Sequence, residues 1–292
     1  MKDKTPFFSI IIPTHNRPGF LHKSVNSVLN QKYQSFEIIV VNDASTEDYS
    51  DTEKFLKSDS RIRYYKVDFK NRSKTRNFGI DKAIGDWICF LDDDDIYYDN
   101  HLEILYNNIL EYPDIKIFRT LTVTLINNKK DFDRDKGVEI QNHIQVIRHM
   151  LPIHSFTVNK KLLINNRFID FLHYMEDTEL WLRLIKANKL KIIPKHTNEY
   201  IVHGKNTVSD NDENTLLEKE KAINYIIKTY PQIQKKDFNN KLYQLSLALC
   251  TINFDNKVFK QALHYYINAI KIKPQLLISR WTLGKLKRLL NE

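Results

Sequence analysis

The chain has 292 residues and a hydrophobic content of 42%, enough to bury a full core in one large domain or in a domain with a smaller appendage. A net charge of +9 suits anionic partners, but the sequence has no zinc-finger or RNA-binding signature, so we expect no nucleic-acid partner. The two cysteines, Cys89 and Cys250, lie far apart, which excludes a disulfide framework and a cysteine zinc site and predicts a reducing, cytoplasmic setting.

The first half of the chain alternates short apolar runs with amphipathic segments. The first run stops at Pro13 and is therefore too short for a signal peptide or a membrane span. Runs of β-branched and aromatic residues predict four strands, at residues 8–12, 37–41, 62–65 and 87–91. Helical spacing after Arg17 and over residues 75–83 predicts connecting helices. This order is typical of an α/β fold in which helical crossovers join parallel strands.

The middle of the chain is less regular, above all between residues 131 and 171. Its pattern predicts a helix at residues 100–112 and a strand pair at 115–126 with a polar turn at 127–130. It also predicts a strand at 155–158 and a second helix at 176–187. Pro113 ends the first of these helices. Trp181 lies beside the apolar face of the second helix, and we expect it to pack in the core.

From Asn214 onward the sequence predicts helices alone, with Pro231 and Pro274 as breaks. The change in pattern places a boundary before this segment. We therefore predict a first domain over residues 1–212 and a helical C-terminal extension over residues 213–292.

Two features of the extension bear on its role. Ala262, Tyr266 and Ala269 have the spacing of the second helix of a tetratricopeptide repeat, but a stable array needs several repeats, so a helical hairpin packed on the first domain is the alternative. Residues 276–290 form a basic amphipathic stretch, which predicts either a solvated helix face or peripheral contact with the cytoplasmic face of a membrane.

Four adjacent carboxylates, Asp92 to Asp95, follow the predicted strand at residues 87–91. Carboxylates this close repel one another, and the cluster persists only if solvent or a cation offsets the repulsion. Oxygen ligands without a neighbouring His or Cys fit Mg²⁺ or Mn²⁺, with a diphosphate completing the coordination shell. The alternative is a solvated loop or a helix cap, although a cap needs one Asp rather than four.

Asp43 follows the predicted strand at residues 37–41. In open α/β sheets, ligands bind outside the carboxyl ends of the strands, where Asp43 and the aspartate run both lie. The Asp43 carboxylate could accept a hydrogen bond from a base N–H, and on spacing alone it could equally cap a turn or a helix.

Four segments of this sequence resemble the family 2 glycosyltransferases: residues 12–17 (IPTHNR), 37–46 (EIIVVNDAST), 75–80 (TRNFGI) and 83–95 (AIGDWICFLDDDD). Their order and spacing also agree, and the resemblance covers residues 7–208. It implies a GT-A fold, a Rossmann-like, mixed and mostly parallel central sheet flanked by helices, with the all-α C-terminal extension outside it. It also implies an inverting enzyme that uses a nucleotide-sugar donor.

The resemblance assigns the nucleotide to the ends of the first two strands. Pro13 and Thr14 would line the nucleotide pocket, and Asp43 would bond the base, commonly uracil. The family usually has two acids at the end of the second strand, whereas the first position here is Asn42. This departure places more weight on Asp43.

The resemblance also assigns the aspartates as a D-x-D motif that spans Asp92 to Asp94. Asp94 would bind Mn²⁺ or Mg²⁺ directly, with Asp92 as the second candidate ligand. Asp93 or Asp92 would hold the ribose or the sugar. Arg72 and Arg76 would lie near the base or the diphosphate.

The segment at residues 175–181 (MEDTELW) resembles the family's Glu-Asp pair at the start of a helix, where the Asp is the general base. Asp177 is the corresponding residue. A carboxylate suits this chemistry because the acceptor hydroxyl must lose its proton as the glycosidic bond forms. The alternative is simple helix capping, since Glu176 and Glu179 also suit a first helical turn.

His203 lies where the family often places a basic or metal-binding residue over the diphosphate, and Lys205 follows it closely. Both are candidates for contact with the donor phosphates, and His154 is a further candidate. The alternative is that His203 is an ordinary loop residue, as a lone histidine near a glycine often is.

The predicted function is transfer of a hexose or N-acetylhexosamine, with inversion, from a nucleotide diphosphate sugar such as a UDP-sugar to a glycan or lipid-linked acceptor in surface polysaccharide synthesis. A sugar-nucleotide pyrophosphorylase is excluded because it needs a glycine-rich phosphate loop, and residues 13–18 read PTHNRP instead. The alternative is a non-catalytic scaffold that binds a partner through a degenerate glycosyltransferase domain.

Overall fold

The computed structural model describes residues 7–132, 151–203 and 212–274. The chain divides into two compact units, residues 1–204 and 205–292. The predicted domain boundary between residues 212 and 213 lies slightly later in the chain and stays a prediction.

The first unit is built on one mixed β-sheet. Its strands are β1 (Phe8–Thr14), β2 (Phe36–Asp43), β3 (Ile62–Val67), β4 (Trp87–Phe90), β5 (Ile96–Tyr97), β6 (Ile117–Ile126), β7 (Lys129–Asp131), β8 (Phe156–Asn159) and β9 (Leu190–Val202). The order across the sheet is β3-β2-β1-β4-β8-β6-β9-β5, and β7 pairs with β6. Strands β1 to β4 are parallel, β8 is antiparallel to both β4 and β6, and β9 is parallel to β6, so most strands run in one direction.

Helices connect the strands and cover the sheet. They are α1 (Pro18–Leu29), α2 (Ser50–Leu56), α3 (Arg72–Lys82), α4 (His101–Glu111), α5 (Lys160–Ile164) and α6 (Glu176–Ala187), with a short 3-10 turn at Ile153–Ser155 before β8. Helix α1 begins at Pro18, whose fixed φ suits the first helical turn. The mixed, mostly parallel sheet with flanking helices is the fold class that the sequence predicts.

Alternate residues of the strands face opposite sides of the sheet. On one side, Ile10 and Ile12 of β1 join Leu21 and Val25 of α1 and Leu105 of α4 in one buried cluster. Fully burying each such aliphatic side chain contributes roughly 1.5–3 kcal/mol to folding. This packing holds the carboxyl ends of β1, β2 and β4 at one edge.

The other side of the sheet packs against α3 and α6. Gly79 of α3 lies directly on Ile11, where a Cβ on the glycine would stand 2.5 Å from Ile11 Cγ2. Trp181 of α6 is fully buried and stacks on Phe156 of β8, with ring centroids 4.0 Å apart. The prediction that Trp181 packs in the core is confirmed.

One strand prediction is wrong in detail. Residues 115–126 do not form a strand pair, because Ile117–Ile126 is a single strand of 10 residues. The chain reverses at Asn127 and Asn128, which have φ of 48° and 61°, and pairs back as β7. Two left-handed residues match the twist of a two-residue hairpin, and asparagine tolerates that conformation better than most residues.

Between residues 212 and 274, the second unit consists of helices. They are α7 (Glu213–Thr229), α8 (Asn239–Asp255) and α9 (Phe259–Ile272), with a 3-10 turn at Lys235–Phe238. Cys250 of α8 packs against Ala262 and Tyr266 of α9. The tetratricopeptide-like character stays a prediction, and the basic stretch at 276–290 lies outside the described residues.

Of the helices in the described parts of the chain, none combines the length and the apolar composition that a membrane crossing requires.

Gly85 marks a close backbone approach that admits no side chain. A Cβ there would stand 2.6 Å from Ser9 Oγ and 2.8 Å from the Phe7 carbonyl oxygen. We expect Gly85→Ala to lower the free energy of unfolding by about 1–3 kcal/mol, as overpacking does. The matched control is Gly19→Ala, because a Cβ at this exposed glycine meets nothing within 4 Å. Equal unfolding midpoints for the two variants in urea would contradict the expectation.

Candidate functional site

The site lies at the carboxyl edge of the sheet. Strand β1 ends at Thr14, which is in register with Asn42 of β2, and β2 ends one residue later at Asp43. The aspartate run follows β4, where the Leu91 N–H donates to the Ile11 carbonyl oxygen of β1 at 3.0 Å. Because β1, β2 and β4 are parallel neighbours, these polar side chains share one edge, which is where open α/β sheets bind ligands.

The four aspartates are not equivalent. Asp92 is the most accessible, with 34% of its side chain exposed, whereas the side chain of Asp95 is only 1% exposed. Each side chain also has its own set of partners. Asp92 contacts Arg76, Asp93 contacts Thr14 and Arg17, Asp94 contacts Arg17 and His203, and Asp95 contacts His154 and the Ile201 N–H. The protein therefore surrounds the four adjacent carboxyl groups with partners from several segments of the chain.

Arg17 is a site residue that the sequence analysis did not assign. Its Nη1 atom lies 3.2 Å from Asp93 Oδ1 and 2.9 Å from Asp94 Oδ2, so one guanidinium contacts both carboxylates. The signal in the sequence was a cation just after Thr14, in the loop that leaves β1 at the same edge as the aspartates. This contact partly offsets the repulsion within the run.

Burial and neighbouring charge perturb these carboxyl groups in opposite directions. Burial, with the Asp94 charge, raises the pKa of Asp93 to about 7. Burial and the Asp92 charge also raise the pKa of Asp94, against the opposing effect of Arg17. For Asp92, burial is outweighed by the charge and hydrogen bond of Arg76, and its pKa falls. An added cation would therefore stabilise the ionised forms of Asp93 and Asp94 most.

Asp43 has the role that its position in the sequence left open as the alternative to base binding, because it caps the turn before α3. Its carboxylate accepts the backbone N–H groups of Phe69, Lys70 and Asn71 at 2.6–2.9 Å and the Thr75 hydroxyl at 2.7 Å. Four donors match the hydrogen-bonding capacity of one carboxylate. Asp43 thus ties β2 to the loop that begins α3, and its contact with a base stays a prediction.

Asn42 stands where the family usually has the first of two acids, and its side chain contacts Tyr64 of β3. Its Nδ2 donates to the Tyr64 hydroxyl at 2.8 Å. With Tyr49 and Glu53, Asn42 lines a pocket of ≈ 380 Å³ between the end of β2 and α2.

Pro13 and Thr14 end β1 at the same edge of the sheet. Pro13 is partly buried and Thr14 is buried, and the Thr14 hydroxyl donates to Asp93 Oδ2 at 2.7 Å.

Arg76 connects the aspartate run to α6. One guanidinium nitrogen lies 2.7 Å from Asp92 Oδ1 and the other lies 2.8 Å from Glu176 Oε1, and the side chain is only 5% exposed. Arg72 is more accessible, at 35%, and lies 3.8 Å from the same Glu176 oxygen and over the Tyr174 ring. Arg76 therefore joins the two carboxylate groups that the sequence analysis placed in separate motifs.

Asp177 lies at the start of α6, next to Glu176. Its Oδ1 atom accepts the Thr178 N–H at 2.6 Å. Burial and the charge of Glu176 raise the pKa of Asp177 to about 6. Met175, which precedes the pair, has φ 59°, a left-handed conformation that is unusual for this residue type. A carboxylate with a pKa near neutral suits proton abstraction.

His203, just after β9, faces the aspartate run. Its Nε2 atom lies 3.1 Å from Asp94 Oδ2, and its ring stacks on Phe20 with centroids 4.6 Å apart. The sequence indicated His203 but not β9, the long strand that brings it to the site. Lys205, the other candidate in this segment, lies outside the described residues.

A metal ion fits this site only with help from a ligand. Within residues 7–132, 151–203 and 212–274, no three His, Cys, Asp or Glu side chains are grouped so that they could hold a metal. Two donors do converge, because Asp94 Oδ2 and His203 Nε2 lie 3.1 Å apart. A carboxylate and an imidazole can bind one divalent cation if phosphate oxygens complete its coordination shell.

The four hydrogen bonds of Asp43 predict a large effect on stability. We expect Asp43→Ala to lower the free energy of unfolding by at least about 3 kcal/mol, because four hydrogen bonds to a charged group are lost, each contributes about 1.5–3 kcal/mol, and water replaces only part of them. Asp48→Ala is the control, since exposed Asp48 accepts only the Ser50 N–H and hydroxyl among the described bonds, and its loss should change stability much less. The measurement is chemical denaturation, and a similar loss in both variants would refute this role.

Known proteins resemble this chain over the same region. The model of the family described as Glycosyl transferase family 2 matches residues 9–165. An uncharacterized glycosyltransferase of Rickettsia bellii is 34% identical over 203 residues, which are 68% of this chain and 29% of that protein. The GalNAc(5)-diNAcBac-PP-undecaprenol beta-1,3-glucosyltransferase of Campylobacter jejuni is 32% identical over 193 residues, which are 64% of this chain and 62% of that protein.

The chain thus spans about a third of the length of the Rickettsia relatives, 29% for R. bellii and 34% for R. felis. Among solved structures, S. aureus TarS 1-349 in complex with UDP superposes with a TM-score of 0.59 at 16% identity, over 91% of this chain and 88% of that one. This likeness shows that the fold is that of a GT-A glycosyltransferase. The family match covers more than half of the 292 residues. The chain therefore belongs to glycosyl transferase family 2.

Proposed function

We propose that this glycosyltransferase moves a hexose or N-acetylhexosamine from a UDP-sugar to an acceptor hydroxyl, with inversion at the anomeric carbon. The observation that carries the proposal is the Arg76 bridge, which holds the carboxylate pair at the start of α6 within reach of the aspartate run. One group can then deprotonate the acceptor, while the other can hold a cation that would offset the charge of the leaving diphosphate. A scaffold with a degenerate domain would not need this arrangement.

The donor would bind at the carboxyl edge of the sheet. Asp92 is the most exposed member of the run, so it is the aspartate best placed to contact the ribose or the sugar. Arg72 is partly exposed and would meet the base or the diphosphate. Structures of TarS with UDP and with UDP-GlcNAc have the same fold, which supports a uridine nucleotide as the donor.

A divalent cation would join the donor to the protein through Asp94 and His203. Mg²⁺ takes oxygen ligands almost exclusively, whereas Mn²⁺ also accepts an imidazole, so this pair favours Mn²⁺. The cation would offset the charge that grows on the leaving diphosphate. Arg17 already contacts Asp93 and Asp94 and would supply a second positive charge to the same phosphates.

Asp177 would be the general base. It takes a proton only in its ionised form, and its pKa of about 6 leaves it ionised at neutral pH while keeping it a stronger base than an ordinary aspartate. Attack on the face opposite the diphosphate inverts the anomeric centre, because the leaving group departs in line with the incoming hydroxyl. No covalent intermediate is then required.

The acceptor would be a lipid-linked saccharide or another glycan of surface polysaccharide synthesis. The Campylobacter relative, whose name contains a PP-undecaprenol saccharide, supports this class of acceptor. We place the reaction in the cytoplasm or at the cytoplasmic face of a membrane, with the basic stretch at residues 276–290 as the proposed point of peripheral contact.

The first test is turnover of a panel of nucleotide sugars with Mn²⁺, measured as release of nucleoside diphosphate. We expect Asp177→Asn to lower the rate at least about 100-fold, because a positioned base contributes 10²–10⁴-fold. The matched control is Asp170→Asn, an exposed aspartate in the segment before α6, which should keep the wild-type rate. Wild-type kcat/KM should rise with pH and level off above about 6, because the base is active only when ionised.

Three outcomes would count against the assignment. A product with retained anomeric configuration excludes the in-line mechanism. Equal rates for wild type and Asp177→Asn remove Asp177 as the base. Absence of turnover with every donor favours the non-catalytic scaffold.

The second test concerns the cation. We expect Mn²⁺ to tighten UDP binding by the wild type and to have no such effect on Asp94→Asn or His203→Ala, because each variant removes one of the two converging donors. His22→Ala, at an exposed histidine of α1, is the control and should respond to Mn²⁺ as the wild type does. Calorimetric titration of UDP with Mn²⁺ or with EDTA measures the difference, and a full Mn²⁺ response in His203→Ala would exclude His203 as a ligand.

A further inference from the structure

Asp95 is a member of the aspartate run to which the proposed function gives no role. Its side chain is 1% exposed, as is that of His154, so neither can contact a ligand at the surface of the site. A buried carboxylate is costly unless its partners compensate for the lost water. The partners of Asp95 therefore indicate its role.

Both oxygens of Asp95 face the protein interior. Oδ1 accepts the backbone N–H of Ile201 in β9 at 3.0 Å, and Oδ2 lies 2.7 Å from His154 Nδ1 in the 3-10 turn before β8. The His154 ring in turn lies parallel to the Tyr200 ring, with centroids 6.1 Å apart. Asp95 thus connects the aspartate run to β8 and to the end of β9.

The contact of Asp95 with Ile201 lies just beyond the pairing of β5 with β9, which covers only two residues of β5. Strand β5 pairs with β9 through Tyr97 with Asn198 and Ile96 with Glu199, and no further residue of β5 pairs with it. Two residues beyond Glu199, the N–H of Ile201 is bound by the Asp95 side chain instead of a strand backbone. This bond fixes the last part of β9 on the side that faces the aspartate run.

His203 lies two residues after Ile201, and its Nε2 atom is 3.1 Å from Asp94, the neighbour of Asp95. We propose that Asp95 is a positioning residue, which holds the end of β9 through Ile201 and thereby places His203 against Asp94. The inference rests on the proposed function, in which Asp94 and His203 bind the donor with its cation. The two neighbouring aspartates then have different roles, because Asp94 binds the donor with its cation and Asp95 binds β9.

On its other edge β9 is paired with β6 as far as Val202, so Asp95 holds only the edge that faces the aspartate run. A contact elsewhere on the same strand provides a matched control. His101 of α4 is as buried as Asp95, and its Nδ1 atom lies 2.6 Å from the Thr197 hydroxyl of β9. This contact lies on the same strand but farther from His203 in sequence. His101→Ala should therefore lower stability without moving His203.

The experiment compares three variants of the full chain. Asp95→Ser keeps a polar group but is too short to reach the Ile201 N–H, whereas Asp95→Asn keeps an oxygen at the Oδ1 position. We expect Asp95→Ser to weaken UDP binding in Mn²⁺ by about 10–100-fold, as is typical when a partner that orients a metal ligand is removed. Binding in EDTA should stay near the wild-type value. Asp95→Asn and His101→Ala should keep most of the Mn²⁺ response.

A second readout needs no ligand. Imidazole ¹H–¹⁵N spectra of the ligand-free protein, with the His203 signals assigned by its Ala variant, report its environment directly. We expect the His203 signals to shift in Asp95→Ser and to stay in place in His101→Ala. This measurement also separates the two hypotheses, because a wild type that binds no UDP contradicts the proposed function but still shows whether Asp95 positions His203.

Two results would overturn the inference. One is Asp95→Ser with unchanged His203 signals and wild-type UDP binding in Mn²⁺, whatever its unfolding midpoint. The other is Asp95→Asn that loses as much UDP affinity in Mn²⁺ as Asp95→Ser does. The charge of Asp95, rather than its bond to Ile201, would then be responsible for the effect. If Asp95→Ser does not fold, Asp95→Ala provides the variant that lacks the bond, and Asp95→Asn must still keep the His203 signals in place.

Discussion

The repulsion among four adjacent carboxylates is the constraint on which this structure depends. Aspartates 92–95 follow a buried strand, where low polarity strengthens both repulsion and attraction. The fold meets the constraint by bringing cationic or hydrogen-bonding partners to the carboxylates from several elements, with Arg17 shared by Asp93 and Asp94. Arg17 comes from the loop before α1, Arg76 from α3, His154 from the turn before β8 and His203 from the end of β9. The aspartate run thereby brings four separate segments together at one edge.

Arg76 couples the two halves of the proposed reaction. Its guanidinium contacts Asp92 on the donor side and Glu176, the neighbour of Asp177, on the acceptor side. Helix α3 carries this arginine close to the sheet because Gly79 has no side chain to separate it from Ile11. This close packing in the core therefore contributes to the spacing of the Glu176–Asp177 pair from Asp92, and displacement of α3 would disturb both groups together.

Sequence patterns predicted the elements whose cause is local. Strands β1 to β4 were predicted because each is a short β-branched or aromatic run, and the resemblance to a family then implied the mixed sheet. Strand β9 was missed since Pro194 interrupts its pattern and its pairing with β6 includes an irregularity near Leu121. Long-range pairing stabilises such a strand, and no local signal reports that pairing.

The sequence by itself determined the composition of the site: the acidic run, the Glu-Asp pair at a helix start and the family to which they belong. Only the tertiary structure decided which partners each of these residues contacts. Asp43 accepts four hydrogen bonds from the chain itself, and Arg17 joins two aspartates that lie far from it in sequence. The physical reason is that a carboxylate's role depends on the donors and charges that folding brings within about 3 Å, and sequence order does not specify those neighbours.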